Sequence, residues 1–216
     1  MASNARLEIA ERYFISVNHN YDINRLMLLY HFKPDNMQGN TLYPLNALKR
    51  IFPEMYEEYF KRKYSWRKNL TTVKLPVLDC LWNDVVHFSP IDMGIVIHTL
   101  RRVFKQNGKK LEDRYKGRQY FAVDSDKLGQ DKLFIFLNRV RLRDMVKYPL
   151  DQMPSEFVTF KGNADQINFN VPQEQLDDYD SYAKDPSIPP LLFTRTLHVL
   201  YKGNIDMSDL LIKETA

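Results

Sequence analysis

Three features of this sequence predict a single α+β domain of several short, mostly antiparallel strands with flanking helices. Short runs rich in aromatic and aliphatic residues recur along the chain, including LMLLYHF, VVHF, QYFAV and LFIFL, and each is bounded by turn-forming residues. Longer segments with helix-end signals lie between them. No internal repeat, low-complexity tract or flexible linker divides the 216 residues, so one domain spanning 1–216 is expected.

Taken in order, residues 5–14 have helical composition, whereas 13–17 read equally well as a strand. The run 26–32 is apolar enough for an interior strand, and Pro34 limits its extent, leaving His31 near the C-terminal end. Pro34, Asp35, Asn36, Gly39 and Asn40 supply turn chemistry. A helical region from Leu45 follows, and Pro53 splits it into 45–52 and 54–64. The second piece carries Glu54, Glu57 and Glu58 early and Lys61, Arg62 and Lys63 late, the order that the helix dipole favours.

Residues 75–108 read as the organising unit. An apolar strand leads to a polar loop at Trp82, Asn83 and Asp84, then a strand at 85–88, then a helix over 90–107. Ser89 suits the N-cap, Pro90 the first helical position and Gly108 the left-handed closing residue. Ile91, Ile95, Leu100 and Phe104, with Ile97 and Val103 beside them, form its expected buried face, while Arg101, Arg102 and Lys105 turn to solvent. Further on, 119–123 and 133–137 read as an antiparallel pair across a long connection. If 138–148 is extended, Arg139, Arg141 and Arg143 share one face. Short strands at 156–160 and 167–171 precede an acidic helix over 172–184, which Pro186, Pro189 and Pro190 terminate. A strand at 191–201 and a closing strand near 210–212 complete the chain.

With 44% hydrophobic and 27% charged residues, the composition excludes a disordered or fibrous protein. Cys80 stands alone, which rules out an intramolecular disulfide and fits a reducing compartment. No run of about 18 apolar residues could span a bilayer, and the first residues lack the apolar core of a signal peptide. A cytoplasmic protein without membrane association is therefore expected; its oligomeric state is open. The net charge of +4 is mild, but it is unevenly spread: residues 101–118 are basic and 174–185 acidic.

Candidate chemistry gathers on the strands. His31, His87 and His198 fall within apolar runs, where neighbouring strands would bring them into one site. No HxH, HExxH or paired-cysteine spacing accompanies them, so no metal is expected. Asp84 and Asn83 precede His87; beside an imidazole a carboxylate would shift both pKa values and serve as acid, base or charge stabiliser. The same two residues also satisfy loop backbone groups in the ordinary way. Arg139, Arg141 and Arg143, with the basic block before them, suit nucleic acid or an acidic partner protein. No glycine-rich phosphate loop occurs.

The run Leu29-Tyr30-His31-Phe32, followed by a turn and by Leu42-Tyr43-Pro44-Leu45 entering a helix, resembles the opening of ADP-ribosyltransferase-like families. The resemblance implies a split-sheet transferase using NAD and acting on a nucleic acid or protein target. His31 would hydrogen-bond the nicotinamide ribose, Tyr30 or Tyr43 would stack on nicotinamide, and Asn83, Asp84, His87 and His198 would share the cleft. The sequence departs from the family pattern at the late carboxylate: the last long strand offers His198, and Asp206 and Asp209 lie beyond the turn at Gly203. The alternative is a non-enzymatic binding or effector protein that uses the basic 101–143 region or an aromatic surface.

Overall fold

Strand backbones must find partners for their N–H and C=O groups, and in this chain those partners lie far along the sequence. The computed structural model describes residues 27–65, 68–75, 78–111, 113–137, 147–148, 158–160, 167–185, 191–193 and 195–216. Strand β1 (Leu28–Phe32) is followed by β2 (Thr41–Leu42) and the helices α1 (Leu45–Ile51) and α2 (Pro53–Tyr64). A two-residue pair, β3 (Lys74–Leu75) with β4 (Cys80–Leu81), leads through a 3-10 turn at Trp82–Asp84 into β5 (Val86–Phe88) and α3 (Met93–Gln106). Then come β6 (Gln119–Asp124), β7 (Leu133–Leu137), β8 (Lys147–Tyr148), β9 (Val158–Phe160), β10 (Ile167–Phe169) and α4 (Gln173–Lys184). The last strands are β11 (Leu197–Tyr201), β12 (Ile205–Asp206) and β13 (Leu211–Glu214).

Among the described residues every strand pairing is antiparallel, as expected for short strands in an α+β domain. One sheet has the order β1-β6-β13 and another the order β5-β11-β7-β8. They meet at one point. Tyr30 and Ser89 exchange N–H···O bonds of 2.8 and 2.9 Å, which places β5 beside β1 and joins the two sheets edge to edge. The main core fills one side of both: Leu29, Phe121 and Val123 from the first sheet, Val86, Phe88, Ile135 and Val199 from the second, and Val96, Ile97 and Leu100 from α3. A second cluster on the opposite face of the β5 sheet holds Trp82, Val85, Phe136 and Leu200 with Tyr64 of α2 and Leu75.

Several expectations are revised. The central helix starts at Met93 with Asp92 as its N-cap, later than Ser89 and Pro90 would have it. Ser89 is held extended by the exchange with Tyr30, and its Oγ accepts from the Ile91 N–H at 3.0 Å, so it cannot also cap a helix. Ile95 is exposed rather than buried. Residues 119–124 and 133–137 do not pair with each other: β6 lies between β1 and β13, and β7 between β11 and β8. The strand expected at 191–201 begins only at Leu197. Other boundaries hold closely. Pro53 opens α2 at its first position, and Gly108, at φ 67°, closes α3 with bonds from the Gly108 N–H to Lys105 O and from the Lys109 N–H to Phe104 O.

Asp92 ties the helix start to the far edge of the sheet. Its Oδ1 accepts from the Gly94 N–H at 2.7 Å and from the Tyr120 hydroxyl at 2.9 Å, and its Oδ2 accepts from Lys213 Nζ at 2.8 Å. Burial opposes its ionisation, but these bonds outweigh it and hold the carboxyl below its usual range. Asp92→Ala removes a helix cap and leaves Tyr120 and Lys213 without their acceptor, so it should cost about 1–3 kcal/mol in urea unfolding. A loss below about 0.5 kcal/mol would show that the three contacts contribute little.

Candidate functional site

A continued antiparallel ladder past Tyr30 and Ser89 would next pair Phe32 with His87. Instead, the His87 carbonyl accepts from His31 Nδ1 at 2.8 Å, so a side chain takes the place of a backbone donor where β1 and β5 diverge. A carbonyl only accepts, which fixes the tautomer: Nδ1 carries the proton and Nε2 of His31 keeps its lone pair. The His31 ring lies edge-on to Phe88, 5.8 Å between centroids. Burial lowers its pKa to about 4, helped by the positive charges of Lys63 and Arg118 and opposed by the bond to His87. It is neutral at pH 7.

His87 and His198 lie on the other face of the β5 sheet, with ring centroids 6.4 Å apart. They come together because Leu200 opposes His87 across the β5–β11 ladder, and His198 lies two residues from Leu200 on the same face. The His87 ring lies 4.3 Å from that of Trp82, and Phe136 packs against His198 at 5.8 Å. His87 Nε2–H donates to the Trp82 carbonyl at 2.9 Å, and His198 Nε2–H donates to the Phe193 carbonyl at 2.9 Å. Nδ1 of His87 is buried without a hydrogen-bond partner. Burial is the main cause that lowers His87 to about 3 and His198 to about 4, and the charge of His198 pushes His87 further down. Like His31, each is a neutral imidazole whose tautomer is set by a backbone carbonyl.

The remaining predicted residues disperse. Asp84 accepts from Asn46 Nδ2 and from the Leu81 N–H, both at 2.7 Å, so its carboxylate fastens the Trp82–Asp84 turn to α1 and to its own backbone. Asn83 is 2% exposed, and its Oδ1 has no partner. Tyr30 projects from the face of β1 opposite to His31, packed with Met93, Tyr120 and Ala122; burial, then Asp92, pushes its pKa up to about 12. Tyr43 packs edge-on to Phe52, 6.0 Å between centroids, and so joins the helical corner of α1 and α2. Arg139, Arg141 and Arg143 lie outside the described residues. Cys80 is half-buried and its thiol is pushed up by burial, which leaves it a poor nucleophile.

Around His31 the structure gathers cations that the sequence pattern named but did not place there. The Arg118 guanidinium lies 4.5 Å over the Phe32 ring and 3.8 Å from Asp35, which Arg62 also approaches at 3.2 Å. Arg62 and Lys63 cover the Tyr59 ring at 4.6 and 5.4 Å. Only the register of β6 against β1, which sets Tyr120 opposite Phe32, could have brought Arg118 to this point. Among the described residues, no group of three or more His, Cys, Asp or Glu could hold a metal ion, and no helix is long and apolar enough to cross a membrane. Comparison with known proteins finds no matching family model, no matching curated protein and no matching solved structure.

Asp84→Ala removes the acceptor of two hydrogen bonds and should destabilise the fold by about 1–3 kcal/mol in thermal or urea unfolding. Unchanged stability would return Asp84 to the list of cleft residues.

Proposed function

We propose that the protein binds a phosphate-bearing nucleotide where β1 and β5 diverge. The observation that carries this reading is His31, neutral and bonded to the opposite strand, beside the cations Lys63 and Arg118. Arg118, its side chain 28% exposed, offers a planar fork for phosphate while stacked on Phe32. The lone pair on His31 Nε2 accepts from a sugar hydroxyl. A dinucleotide such as NAD supplies both groups, and the resemblance of the β1 run to ADP-ribosyltransferase-like families points to the same ligand.

Binding stands ahead of transfer. Asp35, the carboxylate beside Arg118, is paired with Arg62 and Arg118 and so is not free to stabilise positive charge developing at a ribose. Transfer to a nucleic acid or protein target is the second reading, favoured by the fixed tautomer of His31. Tyr30 faces away from His31 and Tyr43 belongs to the helical corner, so neither is placed to stack on a nicotinamide held by His31.

Calorimetry with NAD, ADP-ribose, AMP and a short single-stranded RNA tests the reading. Binding should weaken with added salt, and Arg118→Ala and Lys63→Ala should each lower affinity about tenfold, or about 1.4 kcal/mol. His31→Gln should weaken ligands that carry ribose and leave inorganic phosphate unaffected. Release of nicotinamide from NAD would decide for the transferase. Absence of binding by every ligand, or indifference to both cation substitutions, would end the proposal.

A further inference from the structure

We propose that the imidazoles of His31, His87 and His198 act as an acid-sensitive latch, closing the β1–β5 seam and the Trp82–Asp84 turn at neutral pH and releasing them locally on acidification. This inference does not depend on what the cleft binds. Each imidazole fastens a segment that no regular ladder holds. His31 joins the diverging β1 to β5, His87 holds the Trp82 carbonyl of the turn, and His198 holds the Phe193 carbonyl of the segment before β11.

Each ring has already given its N–H to a carbonyl, so an added proton must go on the other nitrogen. For His87 that atom is Nδ1, which is buried and faces no acceptor; a proton there creates a buried donor with nothing to receive it. Among the described residues, no carboxylate is among the groups acting most strongly on the three rings. The groups acting most strongly on the three rings are Lys63 from α2, Arg118 ahead of β6, and the other imidazoles, all positive when ionised. β7 presents the apolar ring of Phe136. Asp84 on the adjoining turn has one oxygen committed to Asn46 and the other to the Leu81 N–H. Protonation is accommodated by letting water in.

The sign follows from linkage. A hydrated imidazole titrates near 6.5, whereas closure holds His31 and His198 to about 4 and His87 to about 3. The closed arrangement is therefore fully favoured above pH 6.5, and its advantage is lost as the pH falls from 6.5 towards 4. Opening in that window takes up protons on all three rings, which makes it cooperative.

Trp82 reports on the latch directly, since its ring lies 4.3 Å from His87. The chain has two tryptophans, so Trp66→Phe leaves Trp82 as the sole indole. On titration from pH 8 to 4, its emission should be quenched and red-shifted reversibly, with a midpoint below 6.5 and a slope steeper than one proton, while far-UV circular dichroism stays unchanged. His87→Gln and His198→Gln should each flatten the slope and move the midpoint to lower pH. Emission that is flat to pH 4, that changes only together with the circular dichroism, or whose titration neither substitution alters would overturn the latch. In the unaltered chain, two-dimensional NMR of the imidazole Cε1–H resonances gives an independent reading. Three histidines moving together support the latch, and three independent titrations near pH 6.5 refute it.

Discussion

The architecture depends on how few backbone bonds join its two sheets. Tyr30 and Ser89 make a single two-bond exchange, and beyond it the strands part. That exchange keeps Ser89 extended and so delays the central helix, whose N-cap is Asp92. Because the strands part, the His87 carbonyl loses its regular partner and takes an imidazole instead. The placement of His31 and the helix start are thus two results of one local pairing.

The two faces of β1 do different work. On the core face, Leu29 packs with Phe121 and Val123, and His31 sits at the end of that row against Phe88. On the other face, Tyr30 and Tyr120 surround Asp92 and Lys213, with the Lys213 ammonium 5.3 Å from the Tyr30 ring. Adjacent residues in one short strand therefore serve separate purposes. The first face leaves a neutral nitrogen beside cations; the second satisfies a half-buried charge completely.

How much of this was legible in the sequence follows from the range of the interactions. Local features were readable: the split at Pro53, the left-handed close at Gly108 and the acidic helix are set by residues within a turn of one another. Helix entry was misread because Ser89 obeys a strand contact 59 residues away rather than the helix beside it. The pairing of β6 and β7 was misread because both runs are equally apolar, and a hydrophobic pattern does not choose a partner. Of the candidate site, the neighbourhood of His87 and His198 emerged once register was known, while Tyr30 fell on the wrong face by simple alternation. Lys63 was legible as a late-helix cation and Arg118 as part of the basic 101–118 block, but nothing local placed either beside His31, since that proximity depends on strand register and helix packing.

The ion pair between Lys213 and Asp92 spans 121 positions, and Arg101 reaches across 115 to the main-chain oxygen of Ala216. The outer strand of the first sheet is made of residues 211–214, yet it pairs with β6 and anchors the start of α3. Closing such large loops costs chain entropy before any contact returns it. The consequence is kinetic: folding should be slow, with that edge of β6 left open until residues 211–214 join it. Until then β6 presents an unpaired apolar flank, and the growing chain is most prone to self-association at that stage.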